Sequence, residues 1–239
     1  MSYDYSENIL VQESAGHLLE DELGWRVELA YNTEVLGENG TFGRKSYKDI
    51  LLVRYFKEAL QRLNPWMTPA LVEDALKTFT RHLSTSSLMQ INEEKYGYIR
   101  DGIPVKVKKQ NGQIEEKRAM VIDFEHPNDE ERNQFLAIKE LKIHGDLYRR
   151  RTDIVGFVNG IPLLFIELKK NSVDVQNAYT DNYTDYLDTI PQLFYYNAFL
   201  MLSNGTEAKV GTLGSKYEFF HEWKRLSEQE EGSVALETM

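Results

Sequence analysis

The stretch TDIVGFVNGIPLLFIELKK, residues 152–170, decides the fold. It reads as two apolar strands around Asn159-Gly160, a dipeptide suited to a tight hairpin turn. Asp153 stands at one end, and Glu167 and Lys169 stand near the other. Side chains two apart in a strand share a face, so Glu167 and Lys169 project together while Leu168 turns toward the core. On their own, Glu167 and Lys169 are compatible with a plain salt bridge. With Asp153 added, two carboxylates converge on one point and suit a hard divalent cation, Mg²⁺ above all. A lysine beside that point can orient a water or help take its proton, and such a set can hydrolyse a phosphodiester.

The convergence carries a condition. A regular two-residue turn sets Val158 opposite Ile161 and Asp153 opposite Ile166, which sends Glu167 to the other side of the sheet. A three-residue loop, 159–161, shifts the register by one and pairs Asp153 with Glu167. A bulge near Pro162, which has no N–H for the ladder, does the same. One of the two is expected. The spacing by itself is loose, because an acid followed fourteen residues later by E-x-K arises by chance. Charged residues at strand ends are also commonly solvated or paired.

Around the hairpin the chain alternates helices and strands. A first helix is expected from a Ser6 cap to about Leu23, with Leu10, Ala15, Leu18 and Leu19 buried and Gly24 past its end. Trp25, Val27, Leu29 and Tyr31 alternate with polar residues as a short strand. Residues 36–46 form a glycine-rich loop whose GRKS lacks the order of a phosphate-binding loop. Helices are expected over Tyr47–Leu63, and from Thr68-Pro69 to about His82. Residues 103–124 suggest a hairpin about Asn111-Gly112, with VKVK before it and AMVIDF after it. Residues 133–145 suggest a strand. Ser172 is expected to cap a helix to about Leu187, and residues 199–203 a buried strand. The mixture points to one α/β domain with a central mixed sheet flanked by helices.

The 239 residues suffice for one large domain or two small ones. There are no cysteines, so thiolate metal sites and disulfides are excluded. No apolar run approaches a membrane span, and the N-terminus lacks the pattern of a signal peptide, so a cytoplasmic location is expected. The net charge of −10 argues against coating nucleic acid by charge alone, though not against meeting it at one local site. The five histidines show no ligand spacing.

RRRTDIVGFVNGIPLLFIELKK, residues 149–170, resembles the nuclease motif of the PD-(D/E)xK superfamily, in the form found in the restriction subunit of Type I restriction enzymes. Further blocks resemble the same N-terminal region in order: VQESAGHLLEDELGW, ALQRLNP, TDNYTDYLDTIPQLFYYNAFLMLSNG and KYEFFHEWKR. The likeness spans roughly residues 7–226, and the ordered blocks are far more specific than the short motif. It implies a restriction-endonuclease-like core over residues 1–226; the polar, acidic residues 227–239 are expected by their composition to be a disordered tail. It implies Mg²⁺-dependent double-strand DNA cleavage, with Mn²⁺ as a substitute. Carried over by position, Asp153 and Glu167 are metal ligands, Leu168 adds its backbone carbonyl, and Lys169 is the catalytic lysine. Glu13 matches a helical glutamate that often joins such sites, and it equally suits a solvated helix position. Related nucleases often follow the lysine with Gln-x-x-x-Tyr. Here Asn182 and Tyr186 are the nearer counterpart, although Gln192 and Tyr196 fit the letters. Arg151, with Arg149 and Arg150, suits phosphate contact, or else offsets nearby acids. The likeness also implies partners, namely double-stranded DNA and the modification (methyltransferase) and specificity subunits. It assigns ATP use to a translocase motor expected to lie outside this chain. A docking module that keeps the fold without cutting is the alternative.

Overall fold

The computed structural model describes residues 4–109 and 111–222, so the tail expected from residue 227 lies outside the described residues. A mixed seven-stranded sheet organises the chain. Its strands are β1 (Arg26–Leu29), β4 (Phe135–Lys139), β7 (Ile154–Val158), β8 (Ile161–Leu168), β9 (Phe199–Ser203), β10 (Ala208–Gly211) and β11 (His221–Glu222), in that spatial order. β1 runs parallel to β4 and β8 parallel to β9; the remaining neighbours are antiparallel. Two small ribbons stand apart: β2 (Ile103–Lys108) with β3 (Ile114–Ala119), and β5 (Lys142–His144) with β6 (Arg149–Arg151). This is the α/β architecture of a restriction-endonuclease-like core.

β7 and β8 are buried along almost their whole length, as expected of central strands covered on both faces. Helix α1 (Asp4–His17) and the turn that follows it pack Val11, Ala15 and Leu19 against Ala137, Ile154, Leu164, Ile166 and Leu168 on one face. The other face meets a π-helical stretch, Ala178–Tyr183, that runs into α5 (Thr184–Thr189). There Tyr183, Tyr186 and Phe194 pack on Val155, Phe157 and Phe165. A third cluster joins α2 (Val53–Leu63), α3 (Pro69–Thr80), α4 (Leu88–Asp101) and the β2–β3 ribbon through Phe56, Phe79, Ile99 and Ile103.

Several expectations need correction. α1 already runs at Asp4, so Ser6 lies inside it rather than at its cap, and the α-helix ends at His17 in a wide π turn over Leu18–Glu22. Leu10 is 64% exposed and Leu18 only half-buried; Val11 takes the inward place, one step round the helix. α2 starts at Val53, not Tyr47, because the Asp49 carboxylate accepts from the Lys45 and Ser46 N–H groups and the Leu52 N–H bonds to the Gly160 carbonyl. β3 ends at Ala119, the first residue of AMVIDF, because the Asn64 side chain bonds both the N–H and the carbonyl of Met120. The 133–145 strand is two strands in different sheets, broken at Glu140, whose φ is 54°. Asp174, not Ser172, accepts from the Gln176 N–H where the helix before α5 begins. α3 begins as the sequence indicates, with Thr68 as cap and Pro69 in the first turn.

Candidate active site

The turn at Asn159-Gly160 has two residues, both at positive φ (52° and 79°), and sets Val158 opposite Ile161. Phe157 then faces Pro162, but Gly156 faces Leu164. Leu163 is therefore the extra residue of a bulge beside Pro162, and Ile154 comes to face Ile166. One step further along the ladder, Asp153 stands opposite Glu167. Phe165 and Glu167 thus share the face covered by Tyr186, while Ile166 and Leu168 point to α1. Gly156 sits where the strands crowd, since a Cβ there would lie 2.9 Å from the Trp25 ring and 3.0 Å from Leu164 Cβ.

Asp153 is half-buried, and its Oδ2 accepts from the Leu168 N–H at 2.7 Å. Its backbone carbonyl accepts from the Glu140 N–H at 2.8 Å and from Gln12 Nε2 at 3.2 Å. Burial pushes its carboxyl up to about 6, against the pull of the Leu168 N–H. Glu167 is 2% exposed and its Oε2 finds no hydrogen-bond partner. Burial, and next the Asp153 carboxylate, hold Glu167 well above the usual range. Two carboxylates are thus packed together with too little positive charge to ionise both comfortably. A divalent cation is the kind of group that would reverse this.

Lys169 Nζ donates to Asn182 Oδ1, and Asn182 Nδ2 reaches the Tyr186 hydroxyl at 3.5 Å. The Tyr186 hydroxyl donates to the Arg151 carbonyl at 3.0 Å. Asn182 and Tyr186 therefore join the site. Gln192 and Tyr196 do not: Gln192 Nε2 donates to the His144 carbonyl, and Tyr196 stacks on Phe79 in another cluster. Glu13 is paired by both oxygens with Lys139 Nζ at 2.7 and 2.8 Å. Lys139 lies opposite Ile154 on the α1 side of the sheet, so Glu13 is held there rather than with Asp153 and Glu167. Among the described residues no group of three or more His, Cys, Asp or Glu side chains gathers as a metal cluster. The Arg151 side chain pairs with Glu140 at 3.4 Å and lies over the Tyr31 ring.

Two participants were absent from the expectations. Gln12 steadies the Asp153 backbone, and only its neighbour Glu13 hinted at the place. Glu140 lies near enough to help raise Asp153, and nothing in an apolar run signals a positive-φ glutamate.

Residues 4–219 match the family described as the Type I restriction enzyme R protein N terminus. The chain belongs to that family. It is 33% identical over 211 residues to the type I restriction enzyme HindI endonuclease subunit of Haemophilus influenzae, across 87% of this chain and 19% of the relative. It is 30% identical over 196 residues to a candidate endonuclease subunit of the type I restriction enzyme MjaIXP of Methanocaldococcus jannaschii, across 80% of this chain and 18% of the relative. A shorter match, 32% over 81 residues, covers 33% of the chain and 26% of the type I restriction enzyme EcoprrI endonuclease subunit of Escherichia coli. The chain thus spans about a fifth of the length of the first two relatives. Among the described residues no helix is long and apolar enough to cross a membrane.

Proposed function

We propose that this R-protein N terminus is a Mg²⁺-dependent DNA endonuclease domain, with Mn²⁺ able to substitute. The observation that carries the reading is the bulge at Leu163, which brings Asp153 against Glu167 and leaves a buried carboxylate oxygen without a partner. Asp153 and Glu167 would hold the ion, with the Leu168 carbonyl as a further ligand. The bound ion would polarise the scissile phosphate and lower the pKa of a water. Lys169 extends from the same face as Glu167, and Asn182 holds its ammonium in place, where it orients the attacking water. Tyr186 anchors Asn182 and the Arg151 backbone together. Sequence recognition and ATP-driven translocation belong, in this reading, to the modification and specificity subunits and to the rest of the restriction subunit.

The test is calorimetric titration of Mg²⁺ and Mn²⁺ into wild type and Asp153→Ala, with plasmid cleavage alongside. Saturable binding that the substitution removes is expected. No specific binding and no cleavage by the wild type would favour a docking module of the same fold.

A further inference from the structure

The β5–β6 ribbon carries charge in a way that hairpins ordinarily avoid. Its register sets Lys142 opposite Arg151 and His144 opposite Arg149, so these four side chains share one face. Like charges directly across a ladder are destabilising. The other face is ordinary: Ile143 is buried, and Arg150 forks onto Asp185 at 2.5 and 2.8 Å. Glu140 answers Arg151, but Lys142 and Arg149 have no carboxylate partner among the described residues. Lys142 Nζ reaches only Asn32 Oδ1 at 3.3 Å and the Tyr31 ring, which Arg151 also covers. The His144 imidazole is held below its usual range by burial and then by the nearby cations Arg149, Arg44, Lys142 and Lys48, of which Arg44 pairs with Glu34 and Lys48 with Asp146. All this sits in a chain with 38 acidic and 28 basic residues, so composition does not explain it.

The ribbon is also pinned from both sides. The buried Arg44 guanidinium donates to the Lys142 carbonyl at 3.0 Å, and the His144 N–H bonds to the Tyr47 carbonyl at 2.9 Å. On the opposite flank a Cβ at Gly145 would lie 1.9 Å from the Thr189 carbonyl, so the ribbon tip seats directly on the end of α5. A rigid backbone therefore presents closely spaced cations at a fixed pitch. Arg149 and Arg151 are separated by two strand steps, roughly 6–7 Å. Arg151 stands two residues before Asp153.

We propose that this face of the β5–β6 ribbon is a cradle for the phosphodiester backbone of duplex DNA, leading it to Asp153 and Glu167. The choice of DNA over another polyanion rests on the nuclease reading above. Phosphates would neutralise the cross-strand repulsion that the free ribbon bears, and the contact would be backbone-directed and independent of base sequence.

The test is the salt dependence of binding to a fluorescent duplex in metal-free buffer, for wild type and for Lys142→Gln with Arg149→Gln. Melting and Mg²⁺ calorimetry on the double variant check that the fold and the carboxylate site persist. Each phosphate contact contributes about 0.9 to the slope of log affinity against log salt, so the double variant is expected to lose about 2 from the slope. An unchanged slope would overturn the cradle and leave the nuclease reading untouched. A wild type that binds no duplex even at low salt would also overturn it, while the nuclease reading would still be judged by the metal titration. A variant that loses DNA binding but keeps wild-type metal binding is the supporting result.

Discussion

Asp153→Asn should stabilise the metal-free protein at neutral pH while destroying the site. Asp153 titrates near 6 in the folded chain against 3.8 ordinarily. The folded state therefore holds its proton more tightly than the unfolded state. Stability on this account is full below pH 4 and falls as pH rises through 4 to 6. A difference of that size corresponds to on the order of 3 kcal/mol at pH 8. An asparagine carries no charge to desolvate, still accepts from the Leu168 N–H, and offers its Nδ2 toward the orphan Glu167 Oε2. For a chain of this size each kcal/mol moves the midpoint by roughly 2–4 °C, so the variant is expected to melt roughly 6–12 °C higher at pH 8. The gain should shrink toward zero near pH 4. Mg²⁺ at a hundred times its dissociation constant adds about 2.7 kcal/mol to the wild type and nothing to the variant, nearly closing the gap, and at a thousand times it adds about 4.1 kcal/mol and reverses the order. Calorimetric melting at pH 4, 6 and 8, with and without Mg²⁺, reads all of this. A variant that melts lower than wild type at pH 8 without metal, or a gain that does not depend on pH, would refute the reasoning.

Lys169→Ala should abolish cleavage, by at least about a hundredfold as for loss of a positioned proton-handling group, yet leave Mg²⁺ binding within a few-fold by calorimetry. Asn182→Ala should slow turnover about tenfold, the equivalent of one hydrogen bond to a charged group at ~1.4 kcal/mol, with Asn182→Gln restoring most of it. Gly156→Ala should cost about 1–3 kcal/mol in denaturant unfolding by overpacking the Trp25 ring. Glu34→Gln should cost about 3–5 kcal/mol, because it strips the counter-charge from Arg44, a fully buried guanidinium forked on that carboxylate at 2.6 and 2.7 Å.

The central hairpin was legible because its chemistry is a matter of counting. Asp153 and Glu167 meet only if one residue is skipped, and Pro162 marked where the skip falls. The buried strand at 199–203 and the Thr68-Pro69 helix start were legible too, since local chemistry alone determines them. Other features depended on distant partners. Asn64, far away in sequence, ends β3 at Met120. Gly160 draws Leu52 out of a helix that its own periodicity favours. α4 has a weak apolar stripe, and its clear mark is the reciprocal capping box of Ser87 and Gln90. Glu13 matched by position but meets Lys139, the last residue of β4, whose direction the local pattern left open. The cations of the β5–β6 ribbon read as three consecutive arginines until the register showed which of them share a face with Lys142 and His144.

The odd residue at Leu163 makes the hairpin a frame rather than a set of letters. Remove that single leucine and the ladder closes up as a regular hairpin, with Gly156 still opposite Leu164 and Ile154 still opposite Ile166. Insert one residue between Leu164 and Glu167 instead, and every acid and lysine of the motif survives in the text of the protein. The strands would still be apolar, and the turn would still be Asn-Gly. Yet Glu167 would rotate to the α1 face, its carboxylate parted from Asp153 by the thickness of the sheet. Such an insertion would undo the carboxylate pair while leaving its signature intact to any reader of motifs, and a matching insertion in β7 between Asp153 and Gly156 would restore it. In this hairpin, parity is inherited separately from identity.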